Sequence, residues 1–138
     1  MAFNPPEFVN LAQAVVTTPA LHAEARARTA IGRAYYGLFL AVRAAIRVAE
    51  GRSADDGMAK GHLPSVLFSS KKDELIAVGM LLDSLYSLRR RADYILSPQG
   101  DWARKLSDPA YVEVRVKEAQ ALIKRLPTLD FTPVRGKL

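Results

Sequence analysis

The run Leu88-Arg89-Arg90-Arg91-Ala92-Asp93-Tyr94 gathers the densest set of chemically capable side chains in this sequence. Arg89 and Asp93 stand four residues apart, as do Arg90 and Tyr94. On a helix, one pair can form an ion pair while the other sets a phenol beside a guanidinium. A guanidinium is a planar fork of donors that matches phosphate, and it can stabilise charge that builds on a reacting phosphoryl group. Consecutive helical residues point about 100° apart. At least one of the three arginines must therefore meet the bundle or a partner subunit, where a charge is costly unless paired. A plainer account is also open: cations collect at helix C-termini because they face the negative end of the helix dipole.

A second group is Arg33-Ala34-Tyr35-Tyr36-Gly37-Leu38-Phe39. Arg26, Arg33 and Tyr36 or Gly37 fall on one helical face, and Arg43 and Arg47 prolong it. Such a cationic strip with aromatic neighbours can hold a phosphate or stack a base. The competing account puts Tyr35, Leu38 and Phe39 in the core, uses Gly37 for close helix approach, and leaves the arginines to solvent. In Lys60-Gly61-His62 the imidazole could serve acid–base chemistry or a surface or capping role. The acidic pairs Asp55-Asp56 and Asp73-Glu74 could hold a hard cation, yet a loop and a helix N-terminus attract acids for other reasons. The sequence has no cysteine, so disulfides and thiolate sites are excluded, and with only His22 and His62 it speaks against a His-rich metal site. It carries no Gly-rich phosphate loop, zinc-protease helix motif or nucleophile elbow. No metal and no cofactor is implied.

Helices must position these groups. Asn4-Pro5 reads as a cap and first turn, opening a helix to about Val16. Thr17-Thr18-Pro19 opens the next, which runs from Leu21 to Glu50 and is stopped by Gly51. Residues 51–61 form a loop with three glycines. A short helix covers His62 to Ser69. Lys71 to Leu96 is free of proline, with Leu75, Val78, Leu82, Leu85 and Leu88 at helical spacing. Ser97-Pro98-Gln99-Gly100 ends it, and Asp108-Pro109 starts a last helix to about Leu126. The expected fold is all-α, an up-and-down antiparallel bundle of about five helices. Residues 1–126 form one domain, followed by an irregular tail, 127–138. A formal charge of +6, most of the cations being Arg, suits contact with nucleic acid or nucleotide. No apolar run approaches the roughly 20 residues that span a bilayer, and no secretory leader is visible. The chain reads as cytoplasmic, without a membrane partner.

Taken in order, Arg-Ala-Tyr-Tyr-Gly-Leu-Phe on a long second helix, a loop with Gly-His, and Leu-Arg-x-x-Ala-Asp-Tyr near the end of a later helix resemble the HEPN family (higher eukaryotes and prokaryotes nucleotide-binding). The match is to its small stand-alone bacterial and archaeal branch, and it covers Arg26 to Tyr94. The resemblance implies a helical bundle that pairs as a two-fold homodimer. It also implies RNA or a nucleotide as ligand, and a metal-independent endoribonuclease of the toxin or phage-defence kind. Some such proteins are paired with a nucleotidyltransferase that acts as antitoxin.

In the family's ribonucleases an Arg is followed four to six residues later by His at the dimer cleft. Arg89 matches that Arg, but Tyr94 stands where His is expected, and no Arg in this sequence is followed by His at that spacing. His, with a pKa of about 6.5, can take and give protons near neutrality. A phenol, at about 10, is a poor base unless neighbouring cations stabilise the phenolate. By resemblance, then, Arg89, Asp93 and Tyr94 are the candidate catalytic residues, and Arg33, Tyr36 and Arg90 the candidate phosphate or nucleic-acid contacts. The alternative is a non-catalytic helical dimer that binds nucleotide, nucleic acid or protein.

Overall fold

The computed structural model describes residues 4–18, 22–52, 63–94 and 101–137; for residues 93–94 and 101–103 it describes the backbone alone. Among the described residues six helices form an all-α bundle: α1 (Pro6–Val16), α2 (Ala23–Ala49), α3 (Leu63–Phe68), α4 (Asp73–Tyr94), α5 (Asp101–Ser107) and α6 (Pro109–Arg125). Two 3-10 turns follow, Leu126–Thr128 and Thr132–Val134. No strand occurs among the described residues.

The helix ends follow local chemistry. Asp108 caps α6 as expected, its Oδ1 accepting from the Ala110 amide at 3.0 Å, with Pro109 in the first turn. At α1 the capping position falls on Pro5 rather than Asn4, which contributes only its carbonyl to the Glu7 amide at 2.9 Å. Gly51 takes φ +74° just past α2. The Gly51 amide then reaches the Val48 carbonyl, and the Arg52 amide the Arg47 carbonyl, both at 2.9 Å. This closes the last turn in the manner that glycine permits.

The central element is α2, which packs against α1, α4, α5 and α6. It buries Ala27, Ala30, Ile31, Ala34, Leu38, Val42 and Ile46, a stripe at three- and four-residue spacing. Opposite it, α4 buries Leu75, Val78, Leu82, Leu85 and Leu88. Each fully buried side chain of this kind contributes about 1.5–3 kcal/mol relative to exposure. Gly37 lets α1 close onto α2, since a Cβ there would lie 2.5 Å from Val9 Cγ2 and 3.0 Å from the Pro5 carbonyl oxygen.

Two parts differ from the sequence reading. The seven-residue α5 fills a stretch read as connection, too short to display a helical period. The tail is also more ordered than expected. Its 3-10 turns carry Phe131 and Val134 into the core, 4% and 0% exposed, because two apolar residues three apart can both turn inward there.

Candidate functional site

The junction of α2 and α4 carries a connected strip of rings and guanidinium groups. Arg89 projects from the last turns of α4, and its Nη2 donates to the Tyr36 hydroxyl of α2 at 2.7 Å. Its Cζ lies 4.8 Å from the Tyr36 ring centroid and 5.8 Å from that of Tyr35. Tyr35 meets Tyr36 edge-on at 5.5 Å, stacks on Phe39 at 6.0 Å, and leans on Tyr86 of α4 at 5.6 Å. Arg43 covers Phe39 at 5.8 Å, Arg90 covers Tyr86 at 5.9 Å, and Arg33 covers Phe8 of α1 at 5.7 Å. Each exposed cation–ring contact is worth about 0.5–1 kcal/mol. Tyr36 remains 39% exposed, so its ring is within reach of a ligand. The helical spacing of the α2 residues and the docking of α4 across them produce this alternation.

Burial pushes the Tyr35 phenol above its ordinary 10.0; Arg89 opposes the shift, and Tyr86 and Tyr36 add to it. Tyr35 is therefore a neutral phenol near pH 7 and no proton acceptor.

Arg28 holds the end of α4. Its Nη1 donates to the carbonyls of Ala92 at 2.8 Å and Arg91 at 3.2 Å, which belong to the last turn of α4. Its Nε donates to Glu24 Oε1 at 3.0 Å, one turn back on α2. The carbonyls at a helix C-terminus need such external donors, and a cation suits the dipole there. Beside it, Arg28, Thr29, Gly32, Arg33 and Tyr36 line a surface cleft of about 280 Å³. A larger cleft of about 470 Å³ between α1, the C-terminal half of α2 and the tail is apolar, walled by Ala45, Val48, Ile123, Leu126 and Phe131. It offers no group for phosphate or proton chemistry.

Of the candidate residues, Arg89, Tyr36 and Arg90 fall on this strip, and Arg33, set against Phe8 of α1, lines the cleft beside Tyr36. The α4 helix reaches Asp93 and Tyr94, whose side chains lie outside the described residues. The long arginine stripe does not hold together. Arg26 donates to the Thr18 carbonyl at 2.7 Å behind α1, Gly37 is buried against α1, and Arg47 is 1% exposed inside the bundle. An ideal helix drifts about 20° per seven residues, so three heptads separate Arg26 from Arg47 by about 60°. Asp73 and Glu74 are exposed in the first turn of α4. Lys60-Gly61-His62 and Asp55-Asp56 lie outside the described residues. Among the described residues no group of three His, Asp or Glu could hold a metal, and no helix is long and apolar enough to cross a membrane. Arg28, Phe8 and Tyr86 escape the sequence reading. The Glu24–Arg28 spacing marks only a helical ion pair, and nothing local says that α1 and α4 bring rings to these arginines.

No family model matches the chain, and no solved structure matches it. Among curated proteins it is similar to the uncharacterized protein MJ0992 of Methanocaldococcus jannaschii, 32% identical over 108 residues. The similarity covers 67% of this chain, which spans 60% of the length of that relative.

Proposed function

We propose that this protein is a HEPN-like two-fold dimer that acts on RNA as a toxin or phage-defence module of the metal-independent endoribonuclease kind, with Tyr94 in place of the motif His. The observation that carries this reading is the Arg89–Tyr36 pair. A guanidinium at the end of α4 is held 2.7 Å from a half-exposed phenol, within a strip of alternating rings and cations. Rings accept bases of any sequence by stacking, and arginines follow the backbone.

In the cleft of two copies, each contributing Arg89, Asp93 and Tyr94, a base removes the proton of a 2′-hydroxyl. The freed oxygen attacks the adjacent phosphorus, the bond to the 5′-oxygen breaks, and that oxygen takes up a proton. Arg89 stabilises the charge on the phosphorane oxygens, and Arg33 assists by holding the neighbouring phosphate. In this reading Tyr94 relays the proton in place of the motif His. Arg90 and Tyr36 hold the flanking nucleotide. A nucleotidyltransferase-type antitoxin is the partner this reading expects. The test is incubation of the purified protein with tRNA and mRNA. Cleavage to products bearing a 2′,3′-cyclic phosphate, lost in Arg89→Ala, supports the proposal. No cleavage by the wild type, or equal cleavage by the variant, overturns it.

One observation favours a second reading, a dimer that binds nucleotide, nucleic acid or protein and turns nothing over. No Arg is followed by His at the motif spacing, and the Tyr35 phenol is held protonated. That reading expects saturable binding weakened by Arg89→Ala or Arg33→Ala, with no product.

A further inference from the structure

The cleft beside Tyr36 is built of unlike parts. Arg28, 16% exposed, is anchored on one side by Glu24 and on the other by the carbonyls of Arg91 and Ala92. Its position is set by the fold, and little conformational freedom remains to be lost on binding. Arg33, about one and a half turns further along α2, is exposed and lies 5.7 Å from the Phe8 ring centroid. Between them Gly32 contributes no side chain, and Thr29 and Tyr36 bring hydroxyl-bearing side chains to the lining. The Tyr36 oxygen accepts from Arg89, which leaves its own proton to donate. Three cations (Arg28, Arg33 and Arg89) against one carboxylate (Glu24) give the described groups at the cleft a net positive charge.

From this convergence we infer that the cleft of Arg28, Thr29, Gly32, Arg33 and Tyr36 is a seat for one phosphoryl group, beside the Arg89–Tyr94 turn and distinct from the phosphate at Arg89 itself. Arg28 and Arg33 supply the charge, Thr29 and Tyr36 the hydroxyl donors, and Gly32 the room. The exposed Arg33 fork makes the charge-assisted bonds that hold such an anion strongly, while Arg28, engaged with Glu24 and the Arg91 and Ala92 carbonyls, adds its charge alone. The seat deepens the RNA reading and rests on it for its biological ligand, since Tyr36 belongs to both. In that setting the seat holds a backbone phosphodiester next to the one at Arg89, and so fixes the register of the strand. The same chemistry would accept the terminal phosphate of a free nucleotide.

The experiment is a titration of the ¹⁵N-labelled full-length chain with inorganic phosphate, 5′-AMP, adenosine and a short oligoribonucleotide, followed at the amides. Phosphate and AMP are expected to shift Thr29, Gly32 and Arg33 saturably, and adenosine to leave them in place. Gly32→Leu fills the depression without changing charge and favours the helix. It is expected to weaken phosphate binding tenfold or more. Arg33→Lys keeps the charge but loses the fork, and is expected to weaken it several-fold. Arg115→Ala, a charge removed from α6, is expected to match the wild type. If Gly32→Leu fails to fold by circular dichroism, Arg33→Lys against Arg115→Ala decides. Displacement of phosphate by the oligoribonucleotide supports the backbone diester as ligand, and displacement by AMP alone supports the free nucleotide. Wild-type phosphate affinity in Gly32→Leu and Arg33→Lys, or shifts confined to other surfaces, overturns the seat. RNA bound through Arg89 without phosphate in the cleft sinks the seat and spares the RNA reading. Phosphate in the cleft without RNA binding does the reverse.

Discussion

Truncation of Arg28 to alanine isolates what holds the end of α4. The substitution removes two hydrogen bonds from a guanidinium to carbonyls of the last turn, at 2.8 and 3.2 Å, from a side chain only 16% exposed. A charge-assisted bond contributes about 1.5–3 kcal/mol. The longer bond adds less, and water recovers part of the loss. The partner Glu24 is 53% exposed, so its ion pair adds little. The net cost comes to about 2 kcal/mol, placed on the terminus of α4. Amide hydrogen exchange reads this locally, because an opening free energy reduced by 1.4 kcal/mol means about tenfold faster exchange. Amides of residues 90–94 are therefore expected to exchange about thirtyfold faster in Arg28→Ala, with α1 and α6 near wild type. Arg28→Lys, with a compact ammonium in place of the fork, is expected to fall between. Unchanged exchange in residues 90–94 would refute the reasoning, as would an equal acceleration throughout α1, α4 and α6.

Other outcomes follow from the same geometry. The folded Tyr35 phenol keeps its proton above 10.0, where an unfolded one begins to ionise. Its contribution to stability is thus intact below pH 10.0 and lost as pH rises through the folded value. Urea unfolding across alkaline pH should show a shallower decline for Tyr35→Phe than for the wild type, and parallel declines would contradict the assignment. Gly37→Ala drives a Cβ against Val9 and the firm Pro5 backbone. An overpacking cost at the upper end of about 1–3 kcal/mol, less about 1 kcal/mol of helix preference, leaves about 2 kcal/mol of destabilisation in urea melts. Phe131→Ala should cost about 3–5 kcal/mol if the tail belongs to the core. A loss under about 0.5 kcal/mol would mark the tail as a surface appendage.

Much of the architecture was legible in local chemistry. Asp108-Pro109 announces α6 and Gly51 ends α2, because caps and left-handed backbone act on their own few residues. The period of Leu75, Val78, Leu82, Leu85 and Leu88 announces the buried face of α4, because burial selects apolar residues along one side. Signals failed where they were too short or too long. The seven residues of α5 cannot display a period, and a stripe drawn from Arg26 to Arg47 turns away from itself over six turns of helix.

The sequence by itself determined the all-α class, the main helices and the arginine-rich end of α4, since each depends on residues close in the chain. Which arginines face a ligand was decided only by tertiary structure. Arg47 and Arg89 have the same chemistry, yet one is enclosed by the bundle and the other lies on Tyr36, fifty-three residues away. The Arg28 link to the end of α4 likewise joins residues more than sixty apart. Such contacts are fixed by how helices dock, and docking answers to the shape of the whole core rather than to any spacing along one helix.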